Sequence, residues 1–250
     1  PTFNSDSNGG NFCTYNPLNK GTSNSLSEGN LQTSGSAGGN VSGTMAFLTG
    51  KWYWEQKAQT LSAYGPTFGI GQLGSTGNAS VAGGIYNIIT WQSQAGQMYG
   101  GGGYPAGMGT ITVTSTGVTS LSSGDVMGFW LDLDNNKLWI TKNGAFINSG
   151  NPATGANPQA SWASTGTQPM TLTTQNVSSG VGILNTGSNP SFNGTQTAGT
   201  ATDKNGFGLF KYDPSSTDFI AMCSANLPTA DAISPAKTSD NYPQKLFSPI

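Results

Sequence analysis

Two carboxylates, Asp132 and Asp134, stand two positions apart in a strand-like stretch, which places them on one face. Such a pair can begin a glycoside-hydrolysing site or a calcium site. As a calcium-binding loop the stretch fails, because positions six and twelve hold Lys137 and Asn143 where Gly and Glu are required. Two readings of the pair follow: a polysaccharide-cleaving site, or a brace in which Asp134 ends a strand and supports a tight turn. A second stretch, Gly69-Ile70-Gly71-Gln72-Leu73-Gly74, matches the dinucleotide fingerprint G-x-G-x-x-G. That fingerprint needs a helix directly after it and an acid about 20 positions on. Here Ser75-Thr76-Gly77-Asn78 follows and no acid occurs before Asp125, so the stretch reads as a strand.

The wider chemistry is restricted by composition. The 250 residues contain no His, two Cys, nine cations that are all Lys, and eleven acids, for a net charge of -2. Without imidazole the usual triads and general bases are missing, and two Cys cannot complete a zinc site. No Ser sits in a G-x-S-x-G elbow. We therefore expect no enzyme, no metal and no cofactor. Without Arg, and with a slight negative charge, nucleic acid is not an expected partner. No apolar run reaches the roughly 18 to 20 residues of a membrane span, and the first residues resemble no signal peptide. Cys13 and Cys223 allow a single intramolecular pairing; so sparse a count reads better as buried free thiols. Pro1 fits removal of an initiator Met or excision from something longer.

Charge is 8% of the chain, against roughly 25% in an average soluble domain, and it is unevenly placed. None occurs between Lys57 and Asp125, and none between Lys142 and Asp203. These two stretches are where contacts with other molecules are expected, since few charges oppose close approach. Sequons at Asn40, Asn78, Asn176 and Asn193 are near chance in so Asn- and Thr-rich a chain.

The elements that would position these residues are strands. Trp52 and Trp54 alternate with Tyr53 and Glu55. Val126 to Leu133, a turn at Asp134 to Lys137, Leu138 to Thr141, the type I′ signal Asn143-Gly144, and Ala145 to Ile147 form an antiparallel meander. Further strands are expected over 67–72, 84–91, 109–114, 170–174, 180–184, 206–212 and 218–223. No window shows a capped helical stripe, so the fold class is all-β, a two-sheet antiparallel sandwich. The expected organisation is a loop-rich N-terminal extension with short strands over 1–44, the sandwich over 45–228 and a tail over 229–250. The shared Cys-x-x-Asn of Cys13 to Asn16 and Cys223 to Asn226 predicts that the two end segments lie together. Trp52, Trp54, Trp130 and Trp139 are expected in the core. Trp91, Tyr99, Tyr104 and Trp162 lie in or beside Gly-rich, uncharged loops and are the candidate ligand-binding residues.

The series Gly50-Lys51-Trp52-Tyr53-Trp54-Glu55, Phe68-Gly69-Ile70-Gly71, Gly124 to Gly128 with Leu131 to Asp134, Leu138 to Gly144, and Ile183 to Gly187 with Phe192 resembles a SPRY domain in motif order, over about residues 45 to 195. The resemblance implies two packed, twisted antiparallel sheets of the concanavalin-like kind, and binding of a partner by loops without catalysis. Around it, Asn16-Pro17-Leu18, Leu26 to Leu31, Asn205 to Tyr212 and Cys223 to Pro228 resemble the flanks of SPRY-containing virion proteins of tailed bacteriophages. In those proteins more sequence often follows the Asn-Leu-Pro segment; here the chain ends soon after, as expected of a self-contained subunit.

The resulting expectation is a non-enzymatic phage virion protein, tail- or head-associated and made in the host cytoplasm. It would be oligomeric within the particle, contact other virion proteins, and present loops to a host glycan or receptor without entering the membrane. The alternatives are a capsid decoration or assembly subunit without a receptor role and a surface polysaccharide depolymerase using Asp132 or another carboxylate.

Overall fold

The computed structural model describes residues 10–62, 65–72, 87–92, 96–100, 110–164, 169–215 and 217–227. In chain order the strands are β1 (Tyr15–Lys20), β2 (Asn24–Ser27), β3 (Gln32–Gly43), β4 (Lys51–Thr60), β5 (Thr67–Gln72), β6 (Asn87–Gln92) and β7 (Gln97–Gly100). They continue as β8 (Ile111–Val113), β9 (Val126–Asp132), β10 (Lys137–Lys142), β11 (Ala145–Phe146), β12 (Ala160–Trp162), β13 (Met170–Asn185) and β14 (Ile220–Ala221).

The expected strands at 170–174 and 180–184 are one 16-residue strand, β13, and it belongs to both layers. Its first part, Met170 to Gln175, pairs with β5, continuing to β6 and β7. Its last part, Val181 to Asn185, pairs with β4, continuing to β9, β10, β12 and β8. The register slips between Asn176 and Gly180, where Ser178 and Ser179 take positive φ of 53° and 71°. A bulge of this kind bends a strand and increases its twist, so one strand can serve two sheets. β3 follows β13 through the same bend. Because β1 and β2 pair with β3, residues 15–43, expected in a loop-rich extension, carry strands joined to both layers.

The alternation at β4 is as expected. Trp52 and Trp54 face the space between the layers with Phe129, Leu131, Leu138 and Ile140, and Trp54 stacks on Phe129 with centroids 5.1 Å apart. A buried aromatic or aliphatic side chain of this size contributes about 1.5–3 kcal/mol. The opposite face of β4, β9 and β10 carries Tyr53, Trp130 and Trp139 and is also buried, beneath Phe210, Phe219 and Cys223. A sheet covered on both faces departs from the simple apolar-in, polar-out pattern.

The cover is formed by residues 187–215 and 217–227, which are irregular apart from β14, paired in parallel with the start of β4, and a short 3-10 turn at Ser224–Asn226. Residues 206–212, expected as a strand, form none: Leu209 N and Phe210 N donate to Gly187 O and Ala201 O, and the amides of Lys211 and Tyr212 go to a carboxylate. Glu55 is fully buried; its Oε1 accepts from Tyr212 N (2.8 Å) and Tyr53 Oη (3.0 Å), and its Oε2 from Lys211 N (2.9 Å) and Asn185 Nδ2 (2.9 Å). Burial without a facing cation pushes the Glu55 carboxyl up despite these four donors. Asp203 is a second knot: Oδ1 accepts from Asn205 N and Phe207 N, and Oδ2 from Ala221 N and Asn226 Nδ2.

The two end segments around Cys13 and Cys223 meet as expected. Cys13 N donates to Met222 O (2.9 Å) and Ser224 N to Asn11 O (2.8 Å). Both thiols are free and buried. Cys13 packs in the core between the layers and Cys223 in the outer cluster, so the sheet separates them. Residues 229–250 and Asn78 lie outside the described residues. Asn176 is fully buried and Asn40 nearly so, which closes both sequons to modification in the folded chain.

Candidate functional site

Two of the four candidate ligand-binding aromatics are core residues. Trp91 on β6 is 0% exposed and Trp162 on β12 is 6% exposed, and both belong to the cluster between the layers. Each sits on an inward position of a strand, where alternation, not the neighbouring glycines, sets its direction. Tyr99 on β7 is 48% exposed, with its hydroxyl donating to Gln97 Oε1. Tyr104 lies outside the described residues.

The carboxylates Asp132 and Asp134 are braces. Asp132 is buried; its Oδ1 accepts from Asn135 N and its Oδ2 from Asn135 Nδ2, both at 2.9 Å, which holds the β9–β10 turn. Lys51 Nζ stands 3.8 Å from Asp132 Oδ2. Asp134 accepts from Gly50 N at 2.8 Å. Among the described residues no group of three or more His, Cys, Asp or Glu could hold a metal.

A different surface feature is built by the meander. β10 and β11 pair Thr141 with Phe146 and Lys142 with Ala145, so Asn143-Gly144 is a two-residue turn; φ values of 51° and 83° give it the expected type I′ form. Gly144 cannot be replaced cheaply, since a Cβ there would stand 2.5 Å from the Tyr212 ring. Beyond β11 the chain makes a short 3-10 turn at Ile147–Ser149 and faces residues 116–117. Between them lies an open groove of about 600 Å³. Gly117 (φ 73°) comes so close that a Cβ would stand 2.8 Å from Asn148 N.

The groove's electrostatics are self-contained. Lys142 Nζ, its lining cation, donates to Asp125 Oδ2 (3.1 Å), Ser120 O (2.8 Å) and Thr119 Oγ1 (3.2 Å), which engages all three of its hydrogens. Partial burial works against ionisation of Asp125, yet Ser122 N, Asn143 Nδ2 and Lys142 hold its carboxyl below the usual carboxylate range. Asn143 Oδ1 accepts from Val126 N at 2.9 Å. Phe146, packed on Trp130 with centroids 5.2 Å apart, and Ile147 supply apolar surface among Thr116, Asn148 and Ser149. Uncharged hydroxyl, amide and apolar groups beside a neutralised cation suit a neutral polar ligand or an extended backbone.

Thr116 and Gly117 lie towards the end of one uncharged stretch of the sequence, and Asn143 to Ser149 begin the other. The missing charge and the type I′ turn signalled the region; Phe146 and Thr116 carried no individual signal.

The architecture is that of a SPRY-like antiparallel β-sandwich. The SPRY domain of human HERC1 superposes with a TM-score of 0.50 at 15% identity, covering 68% of this chain and 96% of that one. The TRIM65 PSpry domain superposes with a TM-score of 0.44 at 16% identity, over 70% of this chain and 92% of that one. Stonustoxin gives a TM-score of 0.44 at 15% identity, over 70% of this chain and 27% of its own. No family model matches the sequence, and no curated protein matches it.

Proposed function

We propose that the chain is a non-enzymatic recognition subunit whose groove beside the Asn143-Gly144 hairpin holds an uncharged polar ligand, a glycan or a segment of another protein. The observation that carries this reading is the meeting of the two uncharged stretches at one groove whose cation is already neutralised. A SPRY-like fold is consistent with protein binding, and the engagement of Asp132 and Asp134 in turn bracing supports binding over polysaccharide cleavage. The virion setting rests on the flanking segments, which resemble those of phage SPRY proteins: a tail- or head-associated subunit, contacting other virion proteins and, through the groove, the host surface.

Two measurements test this. Purified chain is applied to host surface polysaccharide and to isolated envelope proteins, with Phe146→Ala and Thr116→Ala as groove variants. Saturable binding lost in Phe146→Ala is the expected outcome; equal binding by both variants and the parent would reject the groove. Release of reducing ends from the polysaccharide would reject the non-enzymatic reading, and absence of the chain from purified particles by mass spectrometry would reject the virion setting.

A further inference from the structure

At the bend where β3 and β13 pass from one layer to the other, several buried polar atoms come together without partners among the described residues. Asn24, at the start of β2, is 2% exposed, and neither its Oδ1 nor its Nδ2 has a hydrogen-bond partner among the described residues. Asn176, at the slip in β13, is 0% exposed; its Nδ2 donates to Thr33 Oγ1 at 2.9 Å, while its Oδ1 has no partner. Ser23 Oγ is buried and unpartnered as well. These groups sit over one patch of β3. A Cβ on Gly39 would stand 2.5 Å from Ser23 Oγ and 3.0 Å from Asn24 Oδ1, and one on Gly35 would collide with Asn24 Oδ1 and lie 3.2 Å from Asn176 Cβ. The two glycines leave the room that the Asn24 amide occupies.

Leaving such groups unpartnered in a dry site costs about 1–3 kcal/mol each, which conflicts with a buried position at the joint of two layers. We infer that this patch is an internal hydration site, in which ordered water links Asn24, Ser23 and the Asn176 carbonyl and clamps β2 onto the bend. The donor set selects water over a cation. Asn24 Nδ2 must donate while Asn24 Oδ1 and Asn176 Oδ1 must accept, and one water can do both. A cation would leave Nδ2 unpartnered, and Lys20 Nζ, which donates to Asn24 O at 2.8 Å, already brings positive charge to the same turn. The site is independent of the groove and of any ligand there.

Two measurements on the unmodified chain decide the matter. A high-resolution crystal structure should show a water peak within hydrogen-bond distance of the Asn24 amide and Asn176 Oδ1. Water-to-protein cross-relaxation in solution should show a long-lived water at the Asn24 side-chain amide. Asn24→Leu, which removes the donor and the acceptor, should lose the peak and raise the unfolding constant roughly tenfold or more. An empty, well-ordered patch, a missing cross-relaxation signal, or an Asn24→Leu chain as stable as the parent would overturn the inference. If Asn24→Leu does not fold, the first two measurements still decide.

Discussion

The two faces of β4, β9 and β10 are buried by different means. On the inner face, aromatic and aliphatic side chains from two sheets interdigitate, and stability follows from apolar area and packing. On the outer face the covering segment has little ladder: the two-residue β14 pairs in parallel with β4, and Ala201 bridges Phe210. It is held by aromatic contacts and by the carboxylates of Glu55 and Asp203, which accept the backbone amides that strands would have paired. The inner face tolerates no cavity, whereas the outer face depends on a few polar atoms that must all be satisfied.

Trp54→Ala should cost about 3–5 kcal/mol by opening a cavity between the layers, measured by denaturant unfolding, and a loss below about 1 kcal/mol would mean that the layers repack freely. Glu55→Ala leaves four buried donors without an acceptor, and about 3 kcal/mol is expected. Its loss should appear first as proteolysis within 197–215 while the sandwich stays protected, so cleavage spread evenly over the chain would show that the cover is not a separable element. Glu55→Gln keeps the shape and some acceptor capacity, and a loss of about 1–2 kcal/mol is expected.

The same carboxylate predicts a pH dependence. Its folded pKa lies above the ordinary value of 4.5, so the folded state binds this proton more tightly than the unfolded one. The contribution of Glu55 to stability is therefore greatest at low pH and is lost as pH rises from 4.5 towards the raised folded value. Asp125 works in the opposite sense, losing its contribution as pH falls below 3.8. The stability difference between the parent and Glu55→Gln should isolate the first effect, and a difference that grows as pH rises would contradict the assigned direction. The smallest effect expected is chemical: two free thiols in the unfolded, unreduced chain by thiol titration, and almost none in the folded one.

The fold class, the alternation at Lys51 to Glu55, the β9–β11 meander and the Asn143-Gly144 turn were legible in the sequence, because period-two alternation and turn chemistry are local. The meeting of the two end segments was signalled only by a weak echo between Cys13 and Cys223. Trp91 and Trp162 were misread because neighbouring glycines suggest a loop, while strand register decides which side of a strand a ring occupies.

Composition and pattern determined that this is an all-β chain of low charge, with no imidazole and two long uncharged stretches. Those properties depend on residue types and near neighbours alone. Tertiary structure decided that one bent strand serves both layers, that the chain after Gly187 is a cover held by Glu55 and Asp203, and that parts of the two uncharged stretches meet at a groove. Each depends on which distant segments touch, here residues as far apart as Glu55 and Tyr212, and no local periodicity encodes that pairing.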